Sequence, residues 1–250
     1  MKAATSLNEV IAQQEAILNW CRTKESRVGY FAMLYRRMTQ QVQEAIAAGQ
    51  FEDGGRMEKL IVNFANFYLQ AWHSYRERLT TGKAWGQVFM NAEKNNLVVL
   101  QHLILGINTH INLDLAKAAV QTCPGDAIYD LKYDFEKIND IIEALAQQIQ
   151  NCLEKIWWPL KFLTDIANNR QEAVLNFSIS NARKTSWANA VALSAIQGPA
   201  HDHHLGVMEN MVTCIADKVI NPGRMTNALL KPVVWMEPKE VHKIMDLLKG

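Results

Sequence analysis

The segment LVVLQHLILGINTHINLDLAKAA, Leu97 to Ala119, is the longest apolar stretch of the sequence. It predicts a helix that carries two of the seven histidines, His102 and His110. Because polar groups inside an apolar element are costly unless they find partners, we expect a buried hydrogen-bond network, a functional site, or both. The other polar residues threaded among its leucines and isoleucines are Asn108, Thr109, Asn112 and Asp114.

Side chains four residues apart on this histidine helix form one slanting row, because each residue turns the helix by about 100°. His110 and Asp114 are spaced on that row for a direct contact. Such a contact would fix the tautomer of the imidazole and raise its basicity. His102 and Gly106 precede them on the same row, and Gly106 would leave open space between the two histidines.

The composition favours long helices around a sizeable core. Of the 250 residues, 49% are hydrophobic, and the 12 glycines and 6 prolines separate segments of helical periodicity. No apolar run alternates in the manner of a β-strand. The sequence therefore predicts an all-α, up-and-down helical bundle over residues 1–198. Further helices over residues 199–250 would pack on the same domain, after the break at Gly198-Pro199.

Local signals place several helix boundaries. Ser6 followed by Glu9 is a capping box for the first helix, and Gly54-Gly55 predicts a loop before the third. Trp157-Trp158-Pro159 predicts a helix stop, followed by a short helix over residues 160–167. The third helix carries an aromatic stripe, which is more typical of a core than of a cofactor-binding wall. That stripe includes Phe64, Phe67, Tyr68, Trp72 and Tyr75.

Charge and motif content exclude several classes of function. The 26 basic and 25 acidic residues give a net charge of +1, which does not favour nucleic-acid binding. No segment has the uninterrupted apolar length of a membrane span, and the first residues lack the apolar core of a secretory signal. The 4 cysteines are widely spaced, which predicts reduced thiols and a cytoplasmic protein. No phosphate-binding glycine loop occurs, so nucleotide-dependent chemistry is not expected.

A long amphipathic segment over about residues 127–156 follows the histidine helix. The short connection predicts that the two helices are antiparallel neighbours. Asp130 and Asp134 would then lie opposite His110 and Asp114, and a cluster of all four would suit a divalent metal ion or acid–base chemistry. In the alternative, Asp130 and Asp134 are solvated acids that the helix dipole favours.

Arg183 lies one turn before Trp187 on a small, apolar helix face, which predicts that it is buried. A buried guanidinium requires a carboxylate, which Asp114 or Asp134 could supply. Such an ion pair would neutralise the acid without a metal ion.

A histidine-rich run, AHDHH at residues 200–204, predicts a loop before a helix that starts at about Leu205. Dense histidine and aspartate indicate either metal affinity or ordinary solvated polar residues. In the second case Asp202 simply caps the helix that follows.

Several motifs together resemble one protein family. QHLILGINTHINLDLA, Gln101 to Ala116, is the most specific of them. The weaker ones are Phe64-Ala65 with Tyr68 and Ala71, Trp85, Asp134-Phe135 with Ile138-Asn139, and Ala182-Arg183 with Trp187. The resemblance is to a bacterial family known as domain of unknown function 5995, and it spans about residues 25–195. It implies a helical fold and no established activity, so it assigns no catalytic residue.

Two functional hypotheses of different classes follow. The first is a metal-dependent, hydrolase-like enzyme with a divalent metal ion as cofactor. Its catalytic residues would be His110, Asp114 and Arg183, with Arg183 binding an anionic group of a small-molecule substrate. Its metal ligands would be His110, Asp114, Asp130 and Asp134.

The second hypothesis is a non-catalytic helical module that binds a small apolar ligand or a protein partner. In that case the polar residues form a structural network that fixes the register of the helices. The supporting members of this network would be His102, Asn108, Asn112, Asn139 and Trp187. Asn108 and Asn112 point away from His110 and would need partners on other helices.

Overall fold

The computed structural model describes residues 2–94, 96–156 and 170–249. The predicted helix stop at Trp157-Trp158-Pro159 and the predicted short helix over residues 160–167 lie outside this part of the chain. The described residues form an all-α helical bundle without strands, which confirms the predicted fold class.

Thirteen helical segments follow one another in the described ranges. None of them combines the length and apolarity needed to cross a membrane. In chain order they are α1 Leu7–Lys24, α2 Val28–Ala47, α3 Gly54–Arg76, α4 Lys83–Ala92, α5 Val99–Thr109, a π-helix His110–Asp114, α6 Leu115–Thr122, a 3₁₀ helix Gly125–Leu131, α7 Lys132–Ile156, α8 Arg170–Ala195, α9 Pro199–Ile220, α10 Arg224–Met236 and α11 Val241–Lys249.

Polar side chains cap the first turns of α1 and α3. The Ser6 hydroxyl accepts from the backbone N–H of Glu9 at 3.3 Å, as predicted. The Asp53 carboxylate accepts from the backbone N–H of Arg56 at 2.8 Å. Gly54-Gly55 therefore begins α3 instead of forming the predicted loop, because Asp53 supplies the acceptor that the free N–H groups of a first turn require.

The last part of the histidine helix, α6, is packed on two sides, by α3 and by α8. Three of its buried residues are small, since Ala116, Ala118 and Ala119 are each 0% exposed. Small side chains allow neighbouring helices to approach closely. The histidine helix therefore runs through the centre of the bundle, with α2 and α4 packed against its first part, α5.

The position of α7 corrects the predicted arrangement. α7 packs mainly against α2, α8 and α11, and α8 takes the place beside the histidine helix that α7 was expected to fill. The 3₁₀ helix Gly125–Leu131 stands between α6 and α7 and leads the chain away, so the short connection does not make the two helices direct neighbours.

Side chains that bond to backbone carbonyls tie the C-terminal helices to the bundle. The Gln101 amide donates to the carbonyl of Val219 at 2.6 Å. The Arg37 guanidinium donates to the carbonyl of Leu248 at 2.7 Å. These bonds join α9 to α5 and α11 to α2, so α9 and α11 lie against the core.

The histidine-rich run lies in the first turns of α9 and not in a loop, because α9 begins at Pro199. Proline is favoured there, since the first turn needs no backbone donor. His204 lies 3.0 Å from the side-chain oxygen of Asn189, while His201 lies 3.6 Å from Asp202. The run is thus part of a helix that packs on α4 and α5.

Candidate functional site

A buried group of three side chains, His110, Asp114 and Trp85, occupies the middle of the histidine helix. His110 Nδ1 lies 2.9 Å from Asp114 Oδ2, and the Trp85 indole N–H donates to the same oxygen at 2.9 Å. The side chains of His110 and Asp114 are 3% and 2% exposed. The predicted contact is therefore present, and Trp85 of α4 adds a donor that depends on how α4 packs.

A π-helical turn carries this group. The backbone N–H of Leu115 donates to the carbonyl of His110, five residues earlier. Such turns are rare and are frequently found at functional sites. The regular 100° step on which the predicted row was based is interrupted here, between His110 and Asp114.

Aromatic rings from α2, α3 and α4 enclose the His110 imidazole. The Phe64 ring stacks on it with centroids 3.6 Å apart and planes 8° apart. The Tyr35 ring meets it edge-on with a centroid distance of 4.4 Å. The ring centroids of Phe31, Tyr68 and Trp85 lie 5.9, 6.1 and 5.9 Å away.

Gly106 does not leave open space between the two histidines, which corrects the prediction. The ring of Phe31 lies against Gly106 so closely that a Cβ atom there would overlap it. His102 lies apart from His110 and meets the ring of Tyr30 edge-on, with centroids 5.8 Å apart. Burial lowers the pKa of His102 to about 3, so it is a neutral core residue.

Burial also determines the protonation of His110. A carboxylate can only accept, so the proton of the His110–Asp114 hydrogen bond lies on Nδ1. Removal from water lowers the pKa of His110, although the hydrogen bond to Asp114 and its charge oppose the shift. In the neutral ring Nε2 is an acceptor, and this buried atom has no hydrogen-bond partner among the described residues.

An apolar cavity of about 110 Å³ lies beside His110. This is several times the roughly 10–15 Å³ that one water molecule needs. Side chains from α2, α3, the histidine helix, α7 and α8 form its wall, and of the described lining residues only His110 and Arg183 carry an ionisable nitrogen. The apolar part of the wall includes Leu34, Met38, Phe64, Ile111, Ile138 and Ile142.

Arg183 is buried, as predicted, but with different partners. It is 5% exposed, and its Nε donates to the side-chain oxygen of Asn139 at 2.6 Å. Its Nη2 donates to the carbonyl of Phe135, and the guanidinium carbon lies 4.5 Å from the centroid of the Phe135 ring. Burial lowers the pKa of Arg183 to about 10, so the group stays charged at neutral pH.

Asp134 has a structural role at the start of α3. Its Oδ1 accepts from the backbone N–H of Glu52 at 2.7 Å, and its Oδ2 accepts from that of Asp53 at 3.1 Å. The Arg56 guanidinium donates to Oδ2 at 3.1 Å. Asp134 is 0% exposed, so these three donors compensate its charge inside the protein.

The predicted metal cluster is not formed. Asp130 is exposed, and Asp134 is engaged at the start of α3 and not beside His110 and Asp114. In the described ranges, no group of three histidine, cysteine, aspartate or glutamate side chains could hold a metal ion. The prediction that Arg183 pairs with Asp114 or Asp134 is also wrong. Asp114 accepts from the indole of Trp85, and Asp134 accepts from the guanidinium of Arg56.

The remaining members of the predicted network form separate local contacts. The Asn112 amide donates to the side-chain oxygen of Asn108 at 3.0 Å. The Asn108 amide donates to the carbonyl of Val212 in α9 at 2.9 Å, so the expected partner on another helix exists. Trp187 packs on the ring of Phe135 with a centroid distance of 5.0 Å, next to Asn139 and Arg183.

The comparison with known protein families covers most of the bundle. The family described as a family of unknown function, DUF5995, matches residues 7–222. This match extends beyond the expected range of about 25–195 at both ends, and it includes α9. No curated protein and no solved structure matches the chain. With six-sevenths of its length matched, the chain belongs to the family of unknown function DUF5995.

Proposed function

We propose that this protein binds a small apolar molecule in the cavity beside His110. The observation that carries the proposal is the cavity itself, about 110 Å³ in volume with largely aliphatic and aromatic walls. Protein interiors are close-packed and contain few spaces larger than a water molecule. The side chains around an apolar space of this size forgo dispersion contacts, which an apolar ligand restores.

The wall is suited to a hydrocarbon group. α2 contributes Leu34 and Met38, and α7 contributes Ile138 and Ile142. Methionine adapts to ligand shape because its side chain is unbranched and flexible. At His110 the wall also holds a neutral imidazole, whose buried Nε2 is an acceptor without a partner among the described residues.

Titration with the neutral fluorophore N-phenyl-1-naphthylamine tests this proposal. We expect a saturable rise in fluorescence at one molecule per chain. Ile111→Phe adds volume to the cavity wall and should weaken binding by about tenfold or more. Ile215→Phe is the matched control, because Ile215 is 38% exposed on α9 and does not line the cavity. Absence of saturable binding, or unchanged binding by Ile111→Phe, would contradict the proposal.

A second function, proton transfer on the bound molecule, is favoured by the pairing of His110 with Asp114. The carboxylate accepts a hydrogen bond from Nδ1–H and so keeps the proton on that nitrogen. Nε2 is then the basic atom of the ring, as a general base requires. Thr39 is the one residue with an aliphatic hydroxyl among the described lining residues, and its hydroxyl donates to the carbonyl of Tyr35. We therefore take water as the nucleophile in a hydrolase-like reaction. This form of the enzyme hypothesis does not use the metal cluster, since its ligand set is dispersed.

Hydrolysis of p-nitrophenyl esters of short and medium fatty acids tests the catalytic role. His110→Gln should lower the rate by about 100-fold or more. His102→Gln is the control, because His102 is also buried but does not line the cavity. The wild-type rate should stay level below the usual pKa of histidine, since the pKa of His110 is lowered. An inactive wild type, or equal losses in both variants, would remove this second function.

A further inference from the structure

Arg183 is a charged residue in the cavity wall for which the described residues provide only neutral partners. Its two hydrogen bonds go to the amide oxygen of Asn139 and to the carbonyl of Phe135. No ion pair joins it to an acid anywhere in the described ranges. A guanidinium offers five N–H donors, so these two bonds leave part of its capacity unused.

A buried charge without a counter-ion is costly, because the charge loses its hydration. Phe135 offsets part of this cost, because its ring lies under the guanidinium. Most of the remaining wall is hydrocarbon, including Ile138, Ile142 and Ile179. An anionic group placed in the cavity would therefore meet one strong, desolvated partner and no competing acid among the lining residues.

We propose that the ligand of this cavity is an amphipathic monocarboxylate, whose carboxylate pairs with Arg183 and whose hydrocarbon chain packs against the apolar wall. This inference rests on the proposed binding function and specifies the class of ligand. A carboxylate matches the guanidinium in geometry, since two parallel N–H donors reach its two oxygens.

The charge of the site favours a carboxylate over a phosphate. Arg183 and His110 are the only ionisable nitrogen groups among the described lining residues, and His110 is neutral. A phosphate monoester carries about −1.5 to −2 charges at neutral pH, so part of its charge would stay uncompensated in an apolar space. A fatty acid carries a single charge, which Arg183 balances.

Displacement of N-phenyl-1-naphthylamine by four decyl compounds tests the inference on the wild-type protein. The compounds are decanoate, decanol, decylamine and decyl phosphate. We expect decanoate to bind about 10- to 100-fold more tightly than decanol, the range for a hydrogen bond to a charged group. Decylamine and decyl phosphate should bind more weakly than decanoate.

Variants at Arg183 test whether this residue causes the preference for decanoate over decanol. Arg183→Met keeps an unbranched, flexible side chain and removes the charge, so decanoate should lose its advantage over decanol while decanol still binds. Arg183→Lys should keep part of the advantage. Arg76→Met is the matched control, because Arg76 lies at the exposed end of α3 and should leave the preference unchanged.

The outcomes separate this inference from the proposed binding function. Equal binding of decanoate and decanol by the wild type would overturn the carboxylate assignment and leave apolar binding in place. Tighter binding of decyl phosphate would also overturn it. Failure of the fluorophore and of every decyl compound to bind would remove both proposals. The wild-type comparison decides the question even if Arg183→Met does not fold.

Discussion

The ring of Phe31 lies directly against Gly106, so that a Cβ atom on Gly106 would overlap the ring. α2 and α5 therefore approach each other closely at this point. Phe31 also lines the cavity, and its ring centroid lies 5.9 Å from that of His110. Gly106 thus determines the position of Phe31 in the cavity wall.

Gly106→Ala should destabilise the protein by about 1–3 kcal/mol, the usual cost of overpacking a core. The substitution improves helix propensity by about 1 kcal/mol, but the Phe31 ring must move to admit the new methyl group. The free energy of unfolding, measured by urea denaturation, tests this expectation. The fluorescence of N-phenyl-1-naphthylamine bound in the cavity should decrease as well.

Gly206→Ala is the control for this prediction. Gly206 lies within α9, and a Cβ atom there would meet nothing within 4 Å. The free energy of unfolding should therefore rise by about 0.5–1 kcal/mol, because only the helix propensity changes. If Gly106→Ala stabilised the protein to the same degree, the close contact with Phe31 would be wrong.

Local patterns were enough to predict the helices and one contact of the site. Helical periodicity predicted the helices, and the four-residue spacing predicted the His110–Asp114 contact. Both patterns reflect residues that are neighbours along one helix. The burial of Arg183 was also predictable, from the small apolar residues that surround it in sequence.

Contacts between helices could not be predicted from such patterns. The position of Asp134 depends on the 3₁₀ helix that redirects α7, and the indole of Trp85 reaches Asp114 only because α4 packs on α5. Phe64 belongs to an aromatic stripe of the kind that any buried helix face shows, so its stacking on His110 could not be predicted from the sequence. The cavity has no sequence signal, since it results from how α2, α3, the histidine helix, α7 and α8 meet.

Asp130 and Asp134 should respond very differently to substitution, although they lie one turn apart in sequence. Asp134→Ala removes the acceptor for two backbone N–H groups and for Arg56, and it should cost about 3–5 kcal/mol. Asp130 is exposed, so Asp130→Ala should change the free energy of unfolding by less than about 0.5 kcal/mol. Thermal unfolding of both variants makes the comparison, and similar effects would show that Asp134 does not hold the start of α3.

Two buried histidines make the stability of the protein depend on pH. The pKa of His102 is lowered to about 3 in the folded protein, and that of His110 is lowered too. In the unfolded chain a histidine has a pKa of about 6.5. Below pH 6.5 the unfolded chain therefore takes up protons that the folded protein does not, and the folded state loses stability as the pH falls.

Between pH 6.5 and pH 5, above the range in which the carboxylates titrate, His102 alone should lower the free energy of unfolding by about 1.7 kcal/mol. The unfolded histidine is half protonated at pH 6.5, and each further pH unit costs up to about 1.4 kcal/mol per proton. Urea denaturation at several pH values measures the slope. His102→Leu should reduce that slope by about one proton, because the group that charges in the unfolded chain is gone. His203→Leu, at an exposed position on α9, should leave it unchanged. An unaltered slope in His102→Leu would mean that His102 is protonated in the folded protein and therefore hydrated, which its 4% exposure and its contact with Tyr30 do not allow.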